Sequence, residues 1–510
     1  MESVSKAPVS AAPADTYWLT RFVILRWFGF VYLIAFYVAA RQLVPLVGAN
    51  GLTPAPLFLS RVHDHFGSTW AGFEALPMLF WFHYSDFSLQ VVAWLGVVLS
   101  CLVLAGYANA LMLAVMWVLY MSIVHIGQDW YGYGWEIQML ETGFLAIFLC
   151  PLLDARPFPL RPPPLSVIFL FRWLIVRIML GSALIKLRGD SCWTDLTALY
   201  YHFETQPIPN PFSRWFHFLP HPLLQFGVIW TFVVELVAPF FAFGPRWGRY
   251  IAGGLIISFQ FTLIVSGNLS FFNWLTILPA LACFDDRFWR AIFPNYLVSC
   301  ATEARLAAKP SRAMTGVTWA VTGLIALLSI QPVLNLLSPE QRMNTSFDPL
   351  ELVNTYGAFG TVGRDRPVIV FEGSNSSDPD TATDWKEYPY VGSPWDPKQR
   401  PPFIAPYQPH LDWQLWFAAM ATYREYPWTL NLVWKLLHND PATMSLFAGN
   451  PFPDHPPHFV RAVYYKYHFA QPGNPEHVYW TRERLGLWLP PLSADNQDFI
   501  GDLREEGWVP

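Results

Sequence analysis

The chain has 510 residues, of which 53% are hydrophobic, 17% aromatic and only 14% charged, with a formal net charge of −5. Soluble globular chains carry about 25% charged residues, so this composition excludes an ordinary soluble protein. A small negative charge without a long basic run excludes nucleic acid as a partner.

Residues 1–20 are small and polar, lack the apolar stretch of a signal peptide, and read as a disordered N-terminal tail. Nine apolar runs follow, at 22–40, 88–106, 109–126, 137–153, 165–187, 223–243, 250–266, 269–284 and 314–337. A helix rises about 1.5 Å per residue, so about 20 apolar residues cross a ~30 Å hydrocarbon layer. Most runs approach that length; the one at 137–153 is short enough to be tilted or partly re-entrant. The pattern predicts a polytopic α-helical membrane protein of about nine spans over 21–337, with an outer loop at 187–222. Lys and Arg sort by loop. With the N-terminus inside, inner loops carry Lys6, Arg156, Arg161, Arg246, Arg249 and the five basic residues between Arg287 and Arg312. Outer loops carry Arg61, Arg188 and Arg214. That excess places the remainder, 338–510, outside the cytoplasm.

Residues 338–510 have no spanning run and are rich in Pro, Trp, Tyr, Asp and Gly. Strands are expected at 367–373, 385–391 and 459–469, the last from the alternation of Val463, Tyr465, Tyr467 and Phe469. Helical spacing at 411–423 and 428–438, broken at Pro427, completes an α+β extracytoplasmic domain. The five cysteines include no C-x-x-C pair and none lies beyond residue 300, so thiol–disulfide chemistry is not expected.

Charged residues inside apolar runs are costly, at about 2.5–3.5 kcal/mol each on insertion scales, and are usually paired. Arg177 and Glu235 lie at similar depths in successive spans and are expected to form a structural ion pair. His125, Asp129, Glu136 and Glu141, with Lys186, Asp190, Asp195, His202 and Glu204, gather at the outer face. They form either a partly desolvated site or a set of solvated loop charges. Lys186 lies at the hydrocarbon boundary, where it either acts as a base or pairs with Glu141. Lys186, Glu141 and His202 are the catalytic candidates. No zinc spacing occurs around His63, His65, His455 or His458, and YGAFGTVG (356–363) lacks the Lys-Ser/Thr of a phosphate loop and reads as turns. No metal or cofactor is expected.

GSALIKLRGDSCWTDLTALYYHFETQPIPNP (181–211) resembles the signature loop of the lipase maturation factor family, through Lys186, Gly189, Asp190, Trp193, Asp195, His202, Glu204, Thr205, Gln206 and Pro207. RPPFIAPYQPHLDWQLWFAAM (400–420) and NPFPDHPP (450–457) are similar to its outer domain. The resemblance implies a non-enzymatic membrane factor that helps secreted lipases, or other partly folded exported clients, reach their active fold. In eukaryotic relatives that membrane is the endoplasmic reticulum; few cysteines and no retrieval signal at EEGWVP imply a bacterial-type member in the cytoplasmic membrane. Tyr407, Trp413 and Trp416 are the client-binding candidates, their alternative fate being to pack the outer domain onto the spans. A shorter similarity, Lys186 followed by an acidic residue and Trp193, is to the vitamin-K-dependent carboxylase branch of membrane proteins. It implies the alternative, an enzyme with an outer-leaflet site around Lys186 acting on a lipid-soluble cofactor or substrate.

Overall fold

A computed structural model describes residues 15–509. Among them, six helices are long and apolar enough to cross a membrane: α1 (Trp18–Val47), α2 (Asp86–Ala105), α5 (Leu165–Gly189), α7 (His221–Phe243), α8 (Arg246–Ser266) and α10 (Arg312–Leu337). Three shorter helices complete the bundle: α3 (Ala110–Ile126), α4 (Gly134–Ile147) and α9 (Phe272–Ala280). The chain is thus a multi-pass membrane protein. α6 (Ala198–Thr205) lies in the loop between α5 and α7.

Local chemistry sets the ends. Ser85 and Ser88 form a reciprocal cap on α2, and the Asn109 and Ser311 side chains cap α3 and α10. α4 stops at Ile147 rather than 153 because Pro151 disfavours helix at the residue before it. In α7, Pro239 has no N–H to donate, and the turn before it, Val233–Val237, widens to a π-helix. That turn carries Glu235.

The tail expectation needs correction at one end. Residues 1–14 lie outside the described residues, but Asp15 bonds Arg249 at 2.7 Å and Thr16 bonds Asp286 at 2.6 Å, and α1 begins at Trp18. This end of the bundle also brings Arg21 to the Arg161 carbonyl and Lys309 N to the Leu160 carbonyl, both at 2.8 Å.

The opposite end carries an antiparallel sheet of order β2-β1-β3-β4, with β1 (Arg366–Ser374), β2 (Lys386–Glu387), β3 (Phe459–Phe469) and β4 (Trp480–Leu492). β3 buries Val463, Tyr465, Tyr467 and Phe469 and exposes His468, as its alternation requires. β2 is two residues long, since Pro389 has no N–H for a ladder. Helices α11 (His410–Ala418) and α12 (Trp428–Leu437) cover the bundle end. Gln42 Nε2 donates to the Gln408 carbonyl at 2.7 Å and Asn431 Nδ2 to the Leu52 carbonyl at 2.8 Å. One hydrophobic core runs from Phe28 and Tyr32 in α1 to Trp413, Trp428 and Leu432. The C-terminal part is therefore seated on the helices and shares their core, where the sequence reads as a separate soluble domain.

Candidate functional site

α5 buries two cations, Arg177 and Lys186. Nine residues at about 100° each set them on opposite faces of the helix, so one acidic neighbour cannot serve both. Arg177 binds Glu141 of α4, and its Nη1 also donates to the Asn354 carbonyl at 2.7 Å. Glu141 further accepts the Tyr356 hydroxyl at 2.7 Å and the Asn354 N–H at 3.1 Å. On the other face, Lys186 Nζ donates to both Glu235 oxygens at 2.8 Å and lies over the Trp193 ring. The expected Arg177–Glu235 pair is not formed, nor is Lys186–Glu141. Depth along the sequence matched the wrong partners because it ignored which face each cation occupies.

The remaining outer-face groups separate into local pairs rather than one cluster. His125 faces Glu351 at 3.6 Å, and Glu136 accepts the Tyr120 hydroxyl. The signature loop joins the helices to the C-terminal part. Asp190 accepts the Cys192 N–H at 3.0 Å and the Val362 N–H at 3.2 Å and binds Arg364 at 2.9 Å, and Arg364 holds its carboxyl well below the usual carboxylate range. Trp193 Nε1 donates to the Phe359 carbonyl at 2.9 Å. At Gly189 a Cβ would lie 2.5 Å from the Gly360 carbonyl oxygen, so only glycine allows this backbone contact. Glu204 accepts the Phe469 N–H at 2.6 Å and faces His468 at 2.9 Å. Gln206 Nε2 donates to the Ser266 carbonyl at 3.0 Å. Asp195 is exposed and stands apart.

Arg366, which the sequence does not single out, ties this loop to β1. Its guanidinium donates to the carbonyls of Glu204 (2.9 Å), Pro207 (2.8 Å) and Gln206, and burial brings its pKa down to about 9, so it stays charged at neutral pH. Asn354 and Tyr356 were equally invisible. The glycines of 356–363 were the available signal, since Gly357 and Gly360 press against Ile185 of α5. Of the aromatic candidates, Trp413 is only 4% exposed, packed on Trp135 at 5.0 Å and Tyr133 at 5.7 Å, and cannot be a client surface. Tyr407 is half-buried against Gln42. Trp416 donates to the Thr205 carbonyl at 3.0 Å and is half-buried.

Two cavities meet here. An inner one of about 170 Å³ is lined by Lys186, Glu235, Trp193 and residues of α7 and α8. An outer one of about 330 Å³ lies between the signature loop, the 357–363 segment and α11. His202, Leu269, Phe272, Ala358 and Phe359 line both. His202 is 7% exposed, its ring edge-on to Phe359 at 4.7 Å. Burial, with the nearby Lys186 charge, lowers its pKa to about 4, so the imidazole is neutral. An unfolded histidine titrates near ~6.5. Between that value and pH 4 the unfolded chain therefore binds the extra proton, and stability falls as the pH drops through this window. At pH 5 the loss from this one group approaches about 2 kcal/mol. His202→Phe should flatten the fall in melting temperature between pH 7 and pH 5 relative to the parent; an unchanged difference would show that the ring is not held neutral.

Residues 19–291 match the model described as Lipase maturation factor transmembrane domain, and residues 352–490 the one described as Lipase maturation factor C-terminal domain. Lipase maturation factor 1 of Bos taurus is 46% identical, over 97% of this chain and 92% of its own length. The Homo sapiens protein of that name is 43% identical, over 97% and 91%. Lipase maturation factor 2 of Xenopus laevis is 28% identical, over 94% and 83%. No solved structure matches. Two matched domains in the same order, and relatives at up to 46% identity over nearly the whole chain, establish that it belongs to the lipase maturation factor family.

Proposed function

We propose that this protein is a membrane-embedded maturation factor that brings exported lipases to their active fold. The near full-length similarity to Lipase maturation factor 1 carries the reading. The bundle anchors the factor in the membrane across which its clients are exported, crossing nine times when α3, α4 and α9 are counted, with residues 338–510 on the extracytoplasmic side. The inner-loop Lys/Arg excess supports that orientation. In a cysteine-free version, single cysteines at Asp378 and Gly473 should react with an impermeant thiol reagent and one at Ala307 should not; the reverse pattern would turn the protein over.

Clients engage at the mouth of the outer cavity, where Met343 and Met420 are 42% and 53% exposed beside half-buried Trp416. Flexible thioethers next to an indole suit a surface that must accept varied unfolded segments. The carboxylase-like alternative needs a lysine free to take a proton, whereas Lys186 Nζ is bound to both oxygens of Glu235. The test is complementation of lipase-secreting cells that lack their maturation factor. The chain should restore the specific activity of secreted lipase, and Met343→Asp with Met420→Asp should reduce it at least fivefold at equal expression. Secreted lipase that stays inactive with the parent chain would overturn the proposal.

A further inference from the structure

The inner cavity has features that client handling does not use. It runs between α7 and α8, and two residues that line it, Leu223 of α7 and Thr262 of α8, are exposed on the outside of the bundle. Its mouth therefore faces hydrocarbon. The walls are mostly apolar, from Ile178, Leu224, Trp230 and Leu263. Two deeply buried polar groups nevertheless line it without a protein partner. The His202 ring, 7% exposed, makes no hydrogen bond to a described residue. Gln260, 3% exposed, accepts from Asn273 Nδ2 at 2.8 Å, while its own Nε2 donates to none. Burying polar groups unpaired costs free energy, so two such groups at one cavity mark a place where a ligand supplies the missing bonds.

Charge narrows the ligand. Lys186 is the cavity's one cation among the described lining residues, and Glu235 neutralises it through both carboxylate oxygens. A phosphate or carboxylate head would enter without a free counter-charge and lose its hydration. An uncharged head with hydroxyl or ester oxygens meets no such penalty, because a neutral imidazole offers one donor and one acceptor and the carboxamide offers N–H. Polar groups sit at the inner wall and beside the outer cavity, while the open side is apolar. The geometry points to a binding site for one uncharged lipid of the glyceride class, its head between His202 and Gln260 and its acyl chain leaving between α7 and α8. The site binds; no chemistry is assigned to it, and it stands whether or not the client surface lies at Met343 and Met420.

The experiment uses the purified full-length protein in phosphatidylcholine nanodiscs and three probes carrying a diazirine in the acyl chain: a monoacylglycerol, a fatty acid at pH 8 and a phosphatidylcholine. The monoacylglycerol should label the segments 219–231 and 260–266 saturably and be displaced by excess unlabelled monoacylglycerol. The other two should label at least tenfold less. His202→Phe and Gln260→Leu should each weaken labelling about three- to tenfold, the range expected for losing one hydrogen bond. Thr262→Trp, at the exposed mouth where folding is not at risk, should block labelling with the melting temperature unchanged. Labelling led by the fatty acid or by phosphatidylcholine, or unaffected by Thr262→Trp, would overturn the assignment and leave a crevice filled by bulk lipid.

Discussion

Glu141→Gln should be among the most damaging single substitutions in this chain. It leaves the Arg177 guanidinium, 2% exposed, without its counter-charge, and weakens the acceptor for the Tyr356 hydroxyl and the Asn354 N–H. Breaking a buried ion pair from one side costs about 3–5 kcal/mol. That is a large share of the 5–15 kcal/mol that holds a typical domain folded. Yield from membranes and the melting temperature in detergent should both drop sharply. Adding Arg177→Met should recover much of the loss, because apolar groups can replace a buried pair that is removed whole. The same Arg177→Met combined with Glu235→Gln should give losses that simply add, since the two residues belong to different pairs. Strong coupling between 177 and 235, with none between 177 and 141, would contradict the arrangement described here.

Arg366→Leu should separate the two halves of the molecule. Three loop carbonyls, from Glu204, Gln206 and Pro207, lose their donor inside a region that water does not reach. Each orphaned group costs about 1–3 kcal/mol, so the change is worth at least about 3 kcal/mol. Limited proteolysis should then cut between 338 and 365, and lipase activation should fail although full-length protein is made. Arg366→Lys should fall between, because an ammonium lacks the planar fork that reaches all three oxygens. By contrast, Arg364→Ala removes a guanidinium whose side chain is 44% exposed and should cost no more than about 1 kcal/mol. Equal sensitivity of the two variants would mean that the loop is not held through Arg366.

Hydrophobicity made the helices and β3 legible, because run length and alternation are local properties. The long helices lie where apolar runs occur, and β3 spans Phe459–Phe469. β4 stayed hidden: Trp480–Leu492 contains Arg482, Glu483, Arg484 and a Pro-Pro pair, and owes its strand form to pairing with β3 at the sheet edge. Ion-pair partners were illegible for a different reason. Depth can be counted along a run, but the face presented to a neighbour depends on how helices are arranged, and Glu235 sits on a π turn that shifts the count. The signature loop could be recognised as a string, yet its role as a joint depends on Phe359, Val362, Arg364 and Arg366, all more than 150 residues further on. Trp413 looked like a surface aromatic because its cover, Tyr133 and Trp135, comes from a distant turn of chain.

The Asn354–Tyr356 contact with Glu141 and Arg177 also bears on biogenesis. Both charges enter the membrane well before residues 354–356 have been synthesised and carried across. Until then the carboxylate lacks two of its donors and the guanidinium lacks a carbonyl. A chain that stalls, or ends after α10, keeps an incompletely satisfied polar pair in the middle of its bundle. The transmembrane half is thus finished by a peptide from the other side of the membrane, and cellular surveillance can distinguish a complete factor from a truncated one before it meets a client.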